Sequence, residues 1–243
     1  MAIQGGMLAL VRHGHSSHNG NATDLRNLPR FQGHWKPHLT DLGREQAHRV
    51  ATFMIAHEPD REIVVVSSSF KRARQTTEII AEKLYKEGRI IRHVIEDERL
   101  QERDVGRELD GQRIPLELSE REIDALVISK GGEPIRRVWE RISNFIETLK
   151  GGAIVYDGAL VVAVTHAFPI KAAAGIALGV PEQDAFQNLN FDNGSITTAE
   201  FSRGRFELLA ANMTAHLDNG NALAPFTHST VAAQNGIAAK LKE

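Results

Sequence analysis

The sequence predicts an α/β protein, a three-layer α/β/α sandwich around a mainly parallel central sheet. Short runs of consecutive apolar, largely β-branched residues recur at 8–11 (LALV), 63–66 (IVVV) and 160–164 (LVVAV), as in strands covered on both faces. Segments with apolar residues at helical spacing lie between them. No linker-like stretch and no internal repeat divides the 243 residues, which suffice for one large domain with a substantial core.

Each element has its own signal. After the strand at 8–11, a loop rich in Asn, Ser and Gly runs to about Gly33. Thr40 is placed to cap a helix whose Leu42, Ala47, Val50, Ala51 and Met54 share one face, up to about His57. A second helix runs from Phe70 to about Lys86, with Gly88 as terminator, and Ile90 to Ile95 reads as a third strand. Residues 96–111 are densely charged and read as a functional or solvated loop. Helices follow at about 116–128 and 134–149, the latter opened by Pro134 and closed by Gly151 and Gly152. After the strand at 160–164 comes a helix from about Pro169 to Leu178. Segments 195–201 and 206–210 flank Ser202, Arg203, Gly204 and Arg205 as a hairpin. Residues 1–216 thus read as a single domain, and 217–243, with little periodicity, as a loosely attached C-terminal tail.

Composition narrows the function classes. Hydrophobic residues make up 42%, charged residues 25%, and the net charge is −2, without the basic excess of a nucleic-acid binder. No apolar run approaches the roughly 20 residues that cross a bilayer. The first residues lack the basic start and apolar segment of a secretory signal. Cysteine is absent, which excludes disulfides and thiolate chemistry and fits a reduced compartment. The expectation is a cytoplasmic protein with neither nucleic acid nor membrane as partner.

In such sheets ligands collect beyond the carboxyl ends of the strands. Three strand ends carry polar residues here: Arg12-His13-Gly14, then Ser67-Ser68-Ser69 followed by Arg72, and Thr165-His166. Two arginines and two histidines at one rim form a pocket for a compact anion, because guanidinium forks match phosphate oxygens in geometry and charge. A histidine with pKa about 6.5 is substantially neutral at pH 7 and is able to attack phosphorus without a strong base. Taken singly, each piece has a plainer reading: a solvated loop start, a charged helix face, a hydrogen-bonded structural histidine.

The succession of blocks resembles the histidine phosphatase superfamily, the phosphoglycerate-mutase-like proteins, over roughly residues 8 to 200. The pattern Arg-His-Gly-x-Thr-x-x-Asn is met by Arg12, His13, Gly14, Ser16 and Asn19, with serine for threonine. Gln32-Gly33 and Leu39-Thr40-x-x-Gly43 match the next block, although Lys36 and His38 replace its usual aspartate and proline. "SSFKRARQT" matches the block of the second arginine, which falls on Arg72 rather than Arg74. "RLQERDVGRELDG" matches the acidic loop with its acid at Glu102, and "GGEPIRRVWERI" a helix-opening block with proline for serine. "VVAVTHAFPIKA" ends in the second histidine, His166, with Ala167 where glycine is usual, and "DNGSIT" matches a late strand block.

The resemblance implies a phosphoglycerate-mutase-like fold and a metal-independent, cofactor-free mechanism. His13 would be the nucleophile, with Arg12, Arg72 and His166 holding the phosphoryl oxygens and Glu102 serving as general acid and base. Ser16, Asn19, Gln32, Gly33 and Ala167 would join Arg12, Arg72, Glu102 and His166 in binding a small phosphorylated substrate. Within the family, mutases continue the acidic loop as Glu-Arg-His-Tyr-Gly with a long insertion, and follow the second histidine with Gly-Asn-Ser-Leu-Arg. Here Glu102 is followed by Arg103-Asp104-Val105-Gly106, and His166 by Ala167-Phe168-Pro169-Ile170-Lys171, which favours water as acceptor.

Three alternatives stand beside the phosphatase: a mutase-type phosphotransferase, a phospholigand-binding module without turnover, and a metal centre. His15-x-x-His18 and His34-x-x-x-His38 have ligand-like spacing, but they sit in loops and read as rim residues. The segment "GNATDLRNLPR" lengthens the first loop and brings Arg26 and Arg30 to the pocket border or to the solvent. Phe168 and Pro169 either wall the entrance or pack the next helix. Assembly into a homo-oligomer is left open.

Overall fold

The computed structural model describes residues 5–19, 30–31, 37–58, 60–115, 117–152 and 158–218. Six strands form one mixed sheet: β1 (Gly6–Arg12), β2 (Ile63–Ser67), β3 (Ile91–Glu96), β4 (Leu160–Thr165), β5 (Ile196–Ser202) and β6 (Arg205–Met213), in the order β3-β2-β4-β1-β5-β6. The β3–β2, β2–β4 and β4–β1 pairings are parallel, whereas β5 pairs antiparallel with both β1 and β6. Helices are α1 (Asp41–His57), α2 (Lys71–Lys86), α3 (Glu120–Ser129), α4 (Ile135–Lys150), α5 (Ala167–Leu178) and α6 (Glu182–Asn188).

Alternation along the central strands explains the three layers. Met7, Ala9 and Val11 of β1, Ile63 and Val65 of β2, and Leu160, Val162 and Val164 of β4 face α1 and α2, against Val50, Met54, Ile80 and Leu84. The intervening Leu8, Leu10, Val64, Val66, Val161 and Ala163 face α4, α5 and α6, against Ile142, Phe145, Ile170 and Phe186. Each wholly buried Val or Leu contributes on the order of 1.5–3 kcal/mol. Because both faces are covered, the strands read as continuous apolar runs rather than alternating ones. A satellite cluster of Phe31, Val105, Leu109 and Val127 packs α3 onto the loop after β3.

Element ends follow local chemistry. Thr40 caps α1, its hydroxyl accepting from the Gly43 amide at 3.3 Å. Gly88, at φ +75°, lets the chain turn out of α2 while its amide bonds the Tyr85 carbonyl. The third predicted helix starts later than expected, at Glu120, where Ser119 and Glu122 form a capping box. The fifth starts earlier, at Ala167, because Pro169 falls in the first turn, where no amide bond is lost. The short α6 and the 3-10 turns Glu98–Leu100 and Ala215–Leu217 carry no clear sequence signal. Residues 219–243, nearly all of the predicted tail, lie outside the described residues, while Leu217 accepts a hydrogen bond from Arg49 of α1. Among the described residues no helix is long and apolar enough to cross a membrane.

Candidate active site

The adjacent strands β2, β4 and β1 bring the three polar strand ends to one place. The His13 amide donates to the Thr165 carbonyl at 2.9 Å, and the Ser68 amide to the Val164 carbonyl at 2.9 Å. The rings of His13 and His166 meet edge to face, their centroids 5.0 Å apart. Arg72, in the first turn of α2, donates from Nε to His13 Nε2 at 3.0 Å. Arg74, its neighbour in sequence, instead stands in solvent, paired with Glu96 at 3.2 Å.

The protonation of His13 follows from its partners. Nδ1 lies 2.8 Å from the Gly14 carbonyl, which only accepts, so Nδ1 carries the proton. Nε2 keeps its lone pair, directed at the Arg72 guanidinium. His166 shares a hydrogen bond with the Ser68 hydroxyl at 2.8 Å through Nε2, and its buried Nδ1 has no partner among the described residues. Burial, then the charges of Arg72 and Arg12, holds His13 well below the usual histidine pKa of 6.5. His166 is lowered in the same way, by burial, then Arg72 and His13. Burial also lowers Arg12, and brings Arg72 down to about 10. Both arginines remain cationic at neutral pH.

A pH dependence of stability follows. Both histidines are neutral when folded, but in the unfolded chain each takes up a proton near pH 6.5. The unfolded state then binds more protons below that pH, so stability falls on acidification from about pH 7 towards 5. The slope reaches about 1.4 kcal/mol per pH unit for each histidine. Melting temperatures over this range should fall accordingly, and less steeply in His166→Asn.

The loop that follows β1 is seated from several sides. The Gly14 amide donates to Thr76 Oγ1 on α2 at 3.1 Å, and the His15 amide to Gln46 Oε1 on α1 at 2.7 Å. Gly14 and Gly43 pack backbone to backbone: a Cβ on Gly14 would stand 2.2 Å from the Gly43 carbonyl oxygen. Asn193 Nδ2 donates to the His13 carbonyl at 3.1 Å, and the Gly194 amide to the Arg12 carbonyl at 3.0 Å. Arg12 itself donates to the Phe191 carbonyl. Ser16 directs its amide and hydroxyl to Asn19 Oδ1 at 2.7 and 2.8 Å, which shapes the loop.

Glu102 follows the 3-10 turn after β3. Its Oε1 accepts from its neighbour's amide, Arg103 N, at 2.9 Å and from the Phe168 amide in the first turn of α5 at 3.2 Å. Glu102 lines a cavity of about 340 Å³ together with Arg12, Asn19, Ala167 and Asn193, and also a second, of about 600 Å³, beside Arg99, Arg137 and Arg141.

The structure therefore brings Arg12, His13, Arg72 and His166 together, with Asn19, Glu102 and Ala167 on the adjoining cavity. Gln32, Gly33 and Arg26 lie outside the described residues; Arg30 lines the cavity. His15 bonds Thr40 Oγ1 through Nδ1 at 2.9 Å, and among the described residues no group of three His, Cys, Asp or Glu side chains converges as a metal site. The sequence alone assigns no role to Asn193, Ser68 or Lys171. The signals were present: Asn193 and Ser68 stand in recognised blocks, and Lys171 is the lone charge in the apolar helix AFPIKAAAGIAL.

Comparison with known proteins bears on the family and the fold. Phosphoglycerate mutase-like protein 4 of Arabidopsis thaliana is 29% identical over 174 residues, 68% of this chain and 67% of its own. The uncharacterized phosphatase PhoE of Bacillus subtilis is 27% identical over 215 residues, 86% of this chain and 96% of its own. Three mycobacterial relatives, 29% identical over 219 residues, are longer, and the match spans only 54% of their length. The structure of phosphoglycerate mutase from Bacillus anthracis shares the fold, with a TM-score of 0.68 at 18% identity, over 89% of this chain and 96% of that one. Residues 8–214 match the sequence profile of the histidine phosphatase superfamily, branch 1, and the chain belongs to that superfamily.

Proposed function

We propose that the protein hydrolyses small phosphomonoesters without a metal, through a phosphohistidine on His13. One observation carries this reading: His13 Nδ1 is tied to the Gly14 carbonyl, so that Nε2 offers its lone pair at a buried site flanked by Arg72, Arg12 and His166. An arriving phosphate takes over the Arg72 contact and frees that lone pair. Nε2 attacks phosphorus in line as the bond to the leaving oxygen breaks. Arg12, Arg72 and His166 hold the other three oxygens and stabilise the charge spread over them. Glu102, in its acid form, gives its proton to the leaving oxygen. It then takes a proton from water as the water oxygen attacks phosphorus, the P–N bond breaks, and inorganic phosphate leaves a neutral His13.

Water rather than a second substrate hydroxyl is the acceptor. A mutase needs polar contacts to hold the transferred product, yet apolar side chains form much of the adjoining cavity wall. Glu102 also lines the second, more polar cavity, a route by which water reaches it.

The test is trapping with a ³²P-labelled aryl phosphate in excess EDTA, quenched in alkaline detergent. Label should remain on the chain in alkali and be lost in acid, the behaviour of a phosphohistidine. Turnover abolished by EDTA, or label stable to acid, would sink the reading.

A further inference from the structure

The cavity beside the nucleophile is shaped for more than a phosphoryl group. Phe31, Val105, Ile114, Ile123, Val127 and Phe168 line it. Phe168 is held as a platform: Phe186 stacks on it at 5.4 Å, and Arg103 Cζ and Lys171 Nζ each lie 5.5 Å from its centroid. The two cations differ in one respect. Arg103 is neutralised by Asp124. Lys171, only 7% exposed, donates to the Phe186 carbonyl at 2.8 Å, and among the described residues no carboxylate is within ion-pair distance of it. Glu102 and Glu120 line the same cavity without reaching it.

An ammonium has three donors; the Phe186 carbonyl takes one, and Glu120 and Glu102 act on the charge only from beyond ion-pair distance. Tying the Phe186 carbonyl would need only a neutral amide. A buried cation on a cavity wall is accounted for by an anion that comes and goes with the ligand.

We propose that the substrate's leaving group is a compact apolar body, aryl or branched alkyl, bearing a carboxylate that pairs with Lys171. This rests on the phosphohistidine reading and adds the substrate class to it. The apolar wall strips water from the body, and the carboxylate meets the ammonium in a dry setting. A sugar phosphate would instead set part of its hydroxyls against the six apolar side chains, at a cost in desolvation.

The experiment compares 4-(carboxymethyl)phenyl phosphate with its neutral amide, two esters whose phenols have nearly equal acidity. The acid-to-amide ratio of kcat/KM is expected to be about tenfold or more in the wild type and to fall to about one in Lys171→Met. Lys171→Gln, which keeps a donor for the Phe186 carbonyl but not the charge, should lose the preference equally. A wild-type ratio of about one, or a ratio that survives both substitutions, overturns the proposal. So does preference for glucose 6-phosphate over its apolar counterpart, cyclohexylmethyl phosphate. Calorimetric binding of the acid and the amide to His13→Ala reads the same preference without turnover. Preferential binding with no wild-type turnover would sink the hydrolytic reading and keep the pocket assignment. Turnover without preference would do the reverse.

Discussion

His13→Ala is expected to lower hydrolysis of an aryl phosphate by about four orders of magnitude or more. In the mechanism proposed above the substitution removes the attacking atom, Nε2, and with it the acceptor of the Arg72 Nε hydrogen bond. Arg12, Arg72 and His166 still form the anion site, so phosphate should still bind. His15→Ala and His18→Ala should each stay within about tenfold of wild type, because His15 is tied to Thr40 and both residues are only half-buried. Release of the phenol, followed at matched fold content by circular dichroism, checks the series. Activity of His13→Ala within tenfold of wild type would remove it as nucleophile.

The second large effect lies away from the chemistry. Gly43→Ala should cost about 3 kcal/mol or more of stability, because its methyl would stand 2.0 Å from the His15 carbonyl oxygen and 2.8 Å from the His15 amide. Both contacts are with backbone, so no side chain can swing aside. Either α1 retreats or the loop after β1 lifts, and the Gly14 bond to Thr76 and the His15 bond to Gln46 are put at risk. Urea melts and turnover measured together should both fall. A variant as stable and active as wild type would mean that the loop is not seated on α1.

Much of this was legible in the chain because the strands are covered on both faces. Their apolar runs need no periodicity to stand out, and Thr40 marks the first helix unaided. The antiparallel edge was legible only as a hairpin, since turn residues reveal a reversal but not which strand receives it. The α6 helix has two buried residues, Ala185 and Phe186, too few for a period. At the site, Arg12, His13, Arg72 and His166 were visible as polar breaks at strand ends. The tautomer of His13 was not, because it depends on where the Gly14 carbonyl points. Lys171 escaped notice because an apolar helix with one lysine reads as core, and only packing shows which cavity that lysine lines.

The β4–β1 pairing carries a consequence for how the molecule comes into being. Arg72 meets His13 across 59 positions and His166 meets Ser68 across 98, so no local segment holds the reactive constellation. Contacts so distant along the chain form slowly, and a chain still emerging from the ribosome without β4 lacks the wall that buries His13. Its histidine sits in water, apart from arginines that have not yet converged. The candidate site is thus complete only in a molecule whose topology is already correct.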